Sequence, residues 1–211
     1  MDPAFTAVFR EYAEREQREH AARVAAKTQQ PLAVRNEMLL GIGEDTGRLL
    51  NILIKASRAR SILEIGTSFG YSTLWLAEAA RAVGGRVVTL ELAPQKVAFA
   101  REHMRAAGLI DWIDFRVGDA LASLASLDMK FDFVLLDPWK ELYVPCLELF
   151  YPRLNPGALI AADNMLLPEY SRPDAAKYIA AVRSLPGIES VTVPVGSGVE
   201  LSRWSARPPE P

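Results

Sequence analysis

The chain has 211 residues, of which 24 are Lys or Arg and 26 are Asp or Glu, so its formal net charge is −2. This length fits one domain, and the charge lacks the basic excess that is typical of nucleic-acid-binding proteins. A single cysteine, Cys146, excludes an internal disulfide framework, and the sequence contains neither a bilayer-spanning apolar run nor the apolar core of a signal peptide, so we expect a cytoplasmic protein without a membrane segment.

The first 57 residues are predicted to form helices. Phe5 to Lys27 carries its apolar side chains near one stripe. This pattern predicts either a surface helix or a helical arm that packs on a partner subunit, and hence a possible homodimer. Pro31 breaks the segment, and a glycine-spaced stretch from Gly41 to Gly47 precedes a second helix from about Arg48 to Ser57.

From residue 58 to residue 204, short apolar runs alternate with amphipathic segments. The alternation predicts a single Rossmann-like, doubly wound α/β domain with a mostly parallel seven-stranded sheet, helices on both faces and an antiparallel C-terminal hairpin, followed by a loose tail at 205–211. The predicted strands are Ser61–Ile65, Arg86–Leu90, Ile113–Val117, Phe131–Leu136, Ala158–Ala162, Ser190–Val195 and Val199–Trp204. The predicted helices between them are Ser72–Val83, Pro94–Ala107, Leu121–Leu127, Leu142–Leu154 and Pro173–Leu185.

The turn after the first strand is the first candidate ligand site, because ligands of such sheets bind beyond the carboxyl ends of the strands. In LEIGTSFGYS, Gly66 and Gly70 allow the backbone to approach a ligand closely. Ser68 stands where the dinucleotide fingerprint has its middle glycine, which argues against NAD or FAD. Glu64 favours a cationic ligand over an anionic one. The alternative is an ordinary tight turn between a strand and a helix.

The second and third strands end in residues typical of nucleoside binding. Glu91 follows Gly66 by 91 − 66 = 25 residues, close to the position of the ribose acceptor in nucleoside-binding α/β folds, although a lone surface carboxylate would read the same way. Gly118, Asp119 and Ala120 follow the third strand. There Asp119 is predicted to cap the next helix, to lie where an adenine edge is met, or both.

The fourth and fifth strands deliver three short side chains with oxygen atoms, from Asp137, Asp163 and Asn164. Ligation by oxygen alone favours a hard cation such as Mg²⁺. His20 and His103 fall on predicted helices away from these loops, so zinc is not supported. The alternative for the residue pair 163–164 is a turn or a helix cap.

These motifs resemble the metal-dependent class I S-adenosylmethionine methyltransferases of the catechol O-methyltransferase type. LEIGTSFGYS resembles that family's motif for the methionine end of the cofactor, LDPWKELY resembles its Leu-Asp-x-Trp-Lys-x-x-Tyr run, and ADN resembles its second metal segment. The resemblance extends from about Ile42 to Trp204. Related caffeoyl-coenzyme A and bacterial enzymes tend to have Asp where this chain has Trp139, which favours the branch that acts on small catechols; a packed aromatic residue is the alternative.

The resemblance implies three groups of functional residues. Lys140 would be the catalytic base or a charge stabiliser, and Lys140, Asn164 and Glu200 would contact the substrate. The residues that would bind Mg²⁺ are Asp137, Asp163 and Asn164. The residues that would hold S-adenosylmethionine are Ile42, Glu64, Gly66, Ser72, Glu91, Gly118, Asp119, Ala120, Asp137 and Trp139.

The implied activity is transfer of a methyl group from S-adenosylmethionine to one hydroxyl of a catechol-like small molecule, an aromatic vicinal diol. A phenol has a pKa near 10, and chelation of two adjacent hydroxyls by Mg²⁺ makes one of them easier to ionise. One alternative is methylation of a hydroxylated tRNA base, which predicts a basic rim that Lys140, Arg172 and Lys177 supply only sparsely. Another is a non-catalytic nucleoside-binding module.

Overall fold

The computed structural model describes residues 2–26 and 37–206 and contains one seven-stranded sheet. Its strand order is β3-β2-β1-β4-β5-β7-β6; β1 to β5 are parallel, and β7 is antiparallel to both β5 and β6. The predicted fold class is confirmed. The strands are β1 (Ser61–Ile65), β2 (Arg86–Glu91), β3 (Ile113–Val117), β4 (Phe131–Leu136), β5 (Leu154–Ala162), β6 (Ile188–Val193) and β7 (Val199–Trp204).

Seven α-helices cover the two faces of the sheet within the described ranges, and none of them is long and apolar enough to cross a membrane. One buried apolar cluster lies under the first four helices, and a second lies under the last three. The helices are α1 (Pro3–Ala26), α2 (Glu44–Ser57), α3 (Tyr71–Val83), α4 (Pro94–Ala106), α5 (Ala120–Ser126), α6 (Tyr143–Phe150) and α7 (Arg172–Arg183).

Helix α1 uses its apolar stripe inside its own chain. Phe5, Val8 and Tyr12 are buried, and the Phe5 ring meets the Trp75 indole edge to face with 5.2 Å between centroids. The Tyr12 hydroxyl donates a hydrogen bond of 2.6 Å to the carbonyl of Phe69. These contacts agree with the interpretation as a surface helix rather than an arm that places this stripe on a partner. The predicted continuation to Lys27, the Pro31 break and the tail from residue 207 lie outside the described residues.

Three predicted boundaries differ from the observed ones by about four residues, at the start of α2, the end of α6 and the start of β5. Helix α2 begins at Glu44 rather than Arg48, and Gly47 lies inside the helix, where a Cβ atom would collide with the Trp75 indole. The predicted helix through Leu154 ends at Phe150, and β5 already begins at Leu154. The register of β4 and β5 shifts between residues 131 and 133, and such an irregularity lets a strand contain proline.

Candidate active site

The loops after β1, β4 and β5 meet at the carboxyl edge of the sheet, as predicted. The backbone N–H of Asp137 donates to the carbonyl of Ile65 over 2.9 Å, and that of Asp163 donates to the carbonyl of Leu136 over 3.2 Å. These two bonds join the end of β1 to the loop after β4, and the end of β4 to the loop after β5. The side chains of three separate segments are therefore held around one point.

Gly66 is required by contact between two of these loops. Its φ of +103° lies in the region that favours glycine, and a Cβ atom there would collide with the carbonyl oxygen of Asp137. The sequence predicts that this glycine allows a ligand to approach the backbone. In the structure it also allows the turn after β1 to pack against the loop after β4. Any ligand of the turn therefore lies directly beside Asp137.

Glu64 lies fully buried beneath the glycine turn. Its carboxylate accepts hydrogen bonds from the hydroxyls of Ser72 and Thr73, each at 2.6 Å, and from the hydroxyl of Thr89 at 2.5 Å. Burial raises the pKa of Glu64 and outweighs the opposite effect of these donors. The sequence motif indicated Ser72, but nothing in the local pattern indicated Thr89, which the parallel pairing of β1 with β2 brings opposite Glu64.

Glu91 closes the turn from the side of β2. Its carboxylate accepts hydrogen bonds from the backbone N–H groups of Ser68 at 2.8 Å and Ala93 at 2.9 Å. At the neighbouring strand end, the N–H of Gly118 donates to the Glu91 carbonyl at 2.9 Å. Asp119 caps α5 by accepting a hydrogen bond from the N–H of Ala122 at 2.9 Å, so its capping interpretation is confirmed.

Asp163 is the most unusual polar residue of the site. It is 1% exposed, and neither carboxylate oxygen has a hydrogen-bond partner among the described residues. Desolvation, followed by the negative charge of Asp163, raises the pKa of Asp137. Desolvation also raises the pKa of Asp163. Asp137 accepts one long hydrogen bond, of 3.5 Å, from the Tyr143 hydroxyl, so the two neighbouring carboxylates have few donors and form a pair that a bound cation would stabilise.

The donor set is compatible with a hard cation but small. Asn164 follows Asp163 with a φ of +57° and contributes an amide oxygen. No group of three or more His, Cys, Asp or Glu side chains in the described ranges could hold a metal ion, so this set relies on the amide as its third protein ligand. Mg²⁺ is commonly bound by one or two carboxylates together with water and substrate oxygens.

Lys140 brings a positive charge to the same point. Its ammonium group donates to the Tyr143 hydroxyl, to the Asp163 carbonyl at 3.1 Å and to the Asn164 amide oxygen at 3.3 Å. Desolvation lowers the pKa of Lys140 to about 8, despite the opposing charges of Asp137 and Asp163. A lysine held this way can lose its proton far more easily than an exposed one.

Tyr143 belongs to the site although it was not among the predicted site residues. Its fully buried hydroxyl donates to the Asp163 carbonyl at 3.1 Å and accepts from the Lys140 ammonium, which also lies 3.8 Å from the centre of its ring. The signal that could have indicated it is the final residue of LDPWKELY. Its spacing of three from Lys140 places the two side chains on one side of a helical turn.

Glu200, predicted to contact the substrate, is engaged with other side chains of the fold, and its substrate contact stays a prediction. Its fully buried carboxylate faces α7, where it forms an ion pair with Arg183 at 2.7 Å. It also accepts hydrogen bonds from Ser190 and Thr192 on β6, each at 2.5 Å. These donors lower the pKa of Glu200 although burial opposes them, so the carboxylate is already paired inside the fold.

Two further predicted residues lie at the rim in different environments. Trp139 is 36% exposed immediately before Lys140, so it is not a fully packed core residue. Ile42 is buried in the apolar cluster under α1 to α4, which leaves its backbone as the part that could face a cofactor. Leu166, Leu167 and Tyr170, in the loop after β5, are exposed apolar side chains.

Comparison with known proteins identifies the family of the chain. The model of the O-methyltransferase family matches residues 13–204. A catechol O-methyltransferase from Mycobacterium tuberculosis is 35% identical over 163 residues, which are 73% of this chain and 74% of that protein.

Solved structures share the fold over nearly the whole chain. The cofactor-bound structure of Rv0187 from MTB superposes with a TM-score of 0.75 at 30% identity and covers 98% of this chain and 92% of that one. The O-methyltransferase from Bacillus cereus in complex with SAH superposes with a TM-score of 0.72 at 27% identity and covers 97% and 92%. The resemblance drawn from the motifs is confirmed, and the chain belongs to the O-methyltransferase family.

Proposed function

We propose that this protein transfers a methyl group from S-adenosylmethionine to one hydroxyl of a catechol-like small molecule with the help of Mg²⁺. The observation that carries the proposal is the buried, unpartnered carboxylate of Asp163 beside Asp137 and Lys140, directly against the Gly66 turn. The mycobacterial relative named a catechol O-methyltransferase and the Bacillus structure with SAH support the acceptor and the cofactor.

The cofactor is expected along the ends of β1 and β2. Glu64 and Glu91 give this edge negative charge, and a sulfonium ion and an α-amino group are both cationic. Ser72 lies at the start of α3 with its hydroxyl on Glu64, and the helix N-terminus there favours the carboxylate of the methionine moiety. The third strand end, at Gly118 to Ala120, would face the adenine.

The metal would be held by the carboxylates of Asp137 and Asp163 and by the amide oxygen of Asn164. When bound there, Mg²⁺ would act as a Lewis acid that polarises two adjacent hydroxyls and fixes their direction. The three residues contribute two negative charges in a region from which water is largely removed, which is also why they bind a cation better than an exposed pair would.

Lys140 is the residue that would take the proton. With its pKa lowered to about 8, its neutral form can accept the proton of the attacking hydroxyl. The oxygen then forms a bond to the methyl carbon while the carbon–sulfur bond breaks, its electron pair goes to sulfur, and the positive charge of the sulfonium disappears. Alignment of the reacting atoms can lower the activation free energy by on the order of 7–11 kcal/mol.

The experiment is a methyl-transfer assay with a panel of catechols, in Mg²⁺ and in EDTA. We expect transfer that EDTA abolishes, and Lys140→Met should reduce kcat by roughly 10²–10⁴-fold. Lys177→Met is the matched control, because Lys177 is exposed and pairs with the surface residue Asp174. Three outcomes would contradict the proposal: transfer to RNA and to no vicinal diol, full activity of the wild type in EDTA, or full activity of Lys140→Met. The cytoplasmic location and the homodimer stay predictions.

A further inference from the structure

Helix α1 carries an ion pair that reaches across to the segment before α2. Arg15 and Glu19 lie one turn apart and pair at 2.7 Å, with side chains 22% and 18% exposed. Glu19 accepts a hydrogen bond of 2.6 Å from the backbone N–H of Leu39, and Arg15 donates one of 2.7 Å to the carbonyl of Glu37. Both charged groups thus hold main-chain atoms shortly before α2: Glu37 is helical, and Leu39 begins a stretch without regular secondary structure that extends to Gly43.

This segment in turn touches the glycine turn. The hydroxyl of Ser68 donates to the carbonyl of Leu39 over 3.5 Å, while the N–H of Ser68 donates to the carboxylate of Glu91. The Arg15 guanidinium lies 4.1 Å from the centre of the Phe69 ring, in the same turn. A continuous series of contacts therefore runs from Glu19 through Leu39 and Ser68 to Glu91.

We propose that Arg15 and Glu19 are positioning residues for S-adenosylmethionine binding, which act by holding the backbone of Leu39 and the Ser68 turn in place. The inference rests on the proposed cofactor site, because Glu91 is its ribose-binding carboxylate. Ser68 has a φ of +47°, a conformation that non-glycine residues rarely adopt. Contacts on both sides of Ser68 are what keep this turn, and the Glu91 carboxylate bound to it, in one arrangement.

A purely structural role for the pair predicts a different result. The burial of Phe5, Val8 and Tyr12 already fixes α1 to the domain, so the pair is not needed to attach the helix. If the pair served only the fold, its removal would lower the melting temperature and leave the cofactor affinity of the folded protein unchanged. If it positions the turn, its removal weakens cofactor binding and leaves turnover intact at saturating cofactor.

The experiment measures S-adenosylmethionine and SAH dissociation constants by titration calorimetry, and kcat and KM for the methyl donor. Glu19→Met should raise both dissociation constants and the KM about tenfold, the effect of losing one charge-assisted hydrogen bond, with kcat unchanged. Glu19→Gln keeps an acceptor oxygen for the Leu39 N–H and should restore most of the affinity. Arg15→Met should resemble Glu19→Met.

The matched control is the second pair of this geometry, Glu44 and Arg48 on α2, whose side chains are 46% and 53% exposed. Arg48→Met should leave the dissociation constants unchanged. Normal affinity in Glu19→Met, or an equal loss in Glu19→Gln and Arg48→Met, would overturn the inference. Glu91→Ala separates this failure from that of the proposed function: if Glu91→Ala binds SAH normally, the cofactor site itself is misplaced and the inference falls with it.

Discussion

Lys140 has a lowered pKa because its ammonium group is removed from water, and this predicts how the rate depends on pH. Only the neutral amine accepts a proton, so kcat should rise about tenfold per pH unit below the pKa of about 8 and level off above it. The measurement is kcat from pH 6 to 9.5 at saturating donor and metal. Lys140→Met should remove the rising limb. A wild-type profile that is flat across this range would argue against Lys140 as the base.

Removal of the Tyr143 hydroxyl should reduce turnover without weakening cofactor binding. Its hydroxyl contacts both the Lys140 ammonium and the Asp163 carbonyl, so Tyr143→Phe releases the lysine from one of its three partners. We expect kcat to fall about tenfold, the cost of one such hydrogen bond, with an unchanged dissociation constant for SAH.

Tyr178→Phe is the control for Tyr143→Phe. Tyr178 packs edge to face on Tyr143 with centroids 5.5 Å apart, and its buried hydroxyl has no hydrogen-bond partner in the described part of the chain. Its removal tests the loss of a neighbouring phenol oxygen without the loss of a contact to Lys140. Equal effects of the two variants would mean that packing, rather than the Tyr143 hydroxyl, sets the rate.

At the scale of elements, Glu200 on β7 ties the C-terminal hairpin to α7 and predicts a pH-dependent stability. Its pKa in the folded protein lies below the ordinary value of 4.5, because Arg183, Ser190 and Thr192 donate to it. This contribution is fully present above pH 4.5 and is lost as the pH falls through the lowered pKa.

Glu200→Gln should therefore lower the free energy of unfolding at pH 7 by about 1–3 kcal/mol, since the variant leaves a hydrogen-bonded charge without its partner. The measurement is urea unfolding of both proteins from pH 7 down to pH 3. The difference between them should shrink below pH 4.5. A constant difference over the whole range would show that the ionised form of Glu200 contributes nothing.

The bounds of the central strands could be predicted closely, because strands that are buried on both faces consist of continuous apolar runs. Ser61–Ile65 and Phe131–Leu136 have the predicted bounds, and both are almost entirely buried. The start of β5 could not be predicted, because Pro156 and Gly157 normally end elements and only the irregular pairing with β4 accommodates them. The local sequence pattern identifies a strand, but whether that strand can contain a proline depends on how the adjacent strand pairs with it.

The candidate site could be predicted as far as it depends on strand ends. Asp137, Asp163 and Lys140 come together because parallel strands finish at one edge, a rule that needs no side-chain detail. The direction of Glu200 could not be predicted, because Arg183 reaches it from a separate helix. The same holds for Leu39, whose backbone is held by Glu19 at a separation of 20 residues.

At the scale of the whole molecule, the two buried carboxylates at the carboxyl edge of the sheet destabilise the fold when both are ionised, and a bound cation would offset this repulsion. Burial raises the pKa of Asp163 from 3.8 to about 6 and that of Asp137 above its ordinary value. A raised carboxyl pKa means that the metal-free fold loses stability as the pH rises from 3.8 to about 6, and above this range the full cost of the charged form is present. A divalent cation should therefore stabilise the fold most at pH 7 to 8.

Thermal unfolding with and without Mg²⁺ tests this directly, independently of any substrate. At a metal concentration 100 times the dissociation constant, binding contributes about 2.7 kcal/mol, which is a rise in melting temperature of about 5–10 °C for a chain of this size. At pH 5 the rise should be smaller, because protons compete for the same oxygens.

Asp163→Asn should melt no lower than wild type without metal and lose the Mg²⁺ effect, yet keep its response to SAH. Asp174→Asn, at an exposed ion pair, should keep both responses. The same Mg²⁺ response in Asp163→Asn and wild type would place the metal elsewhere.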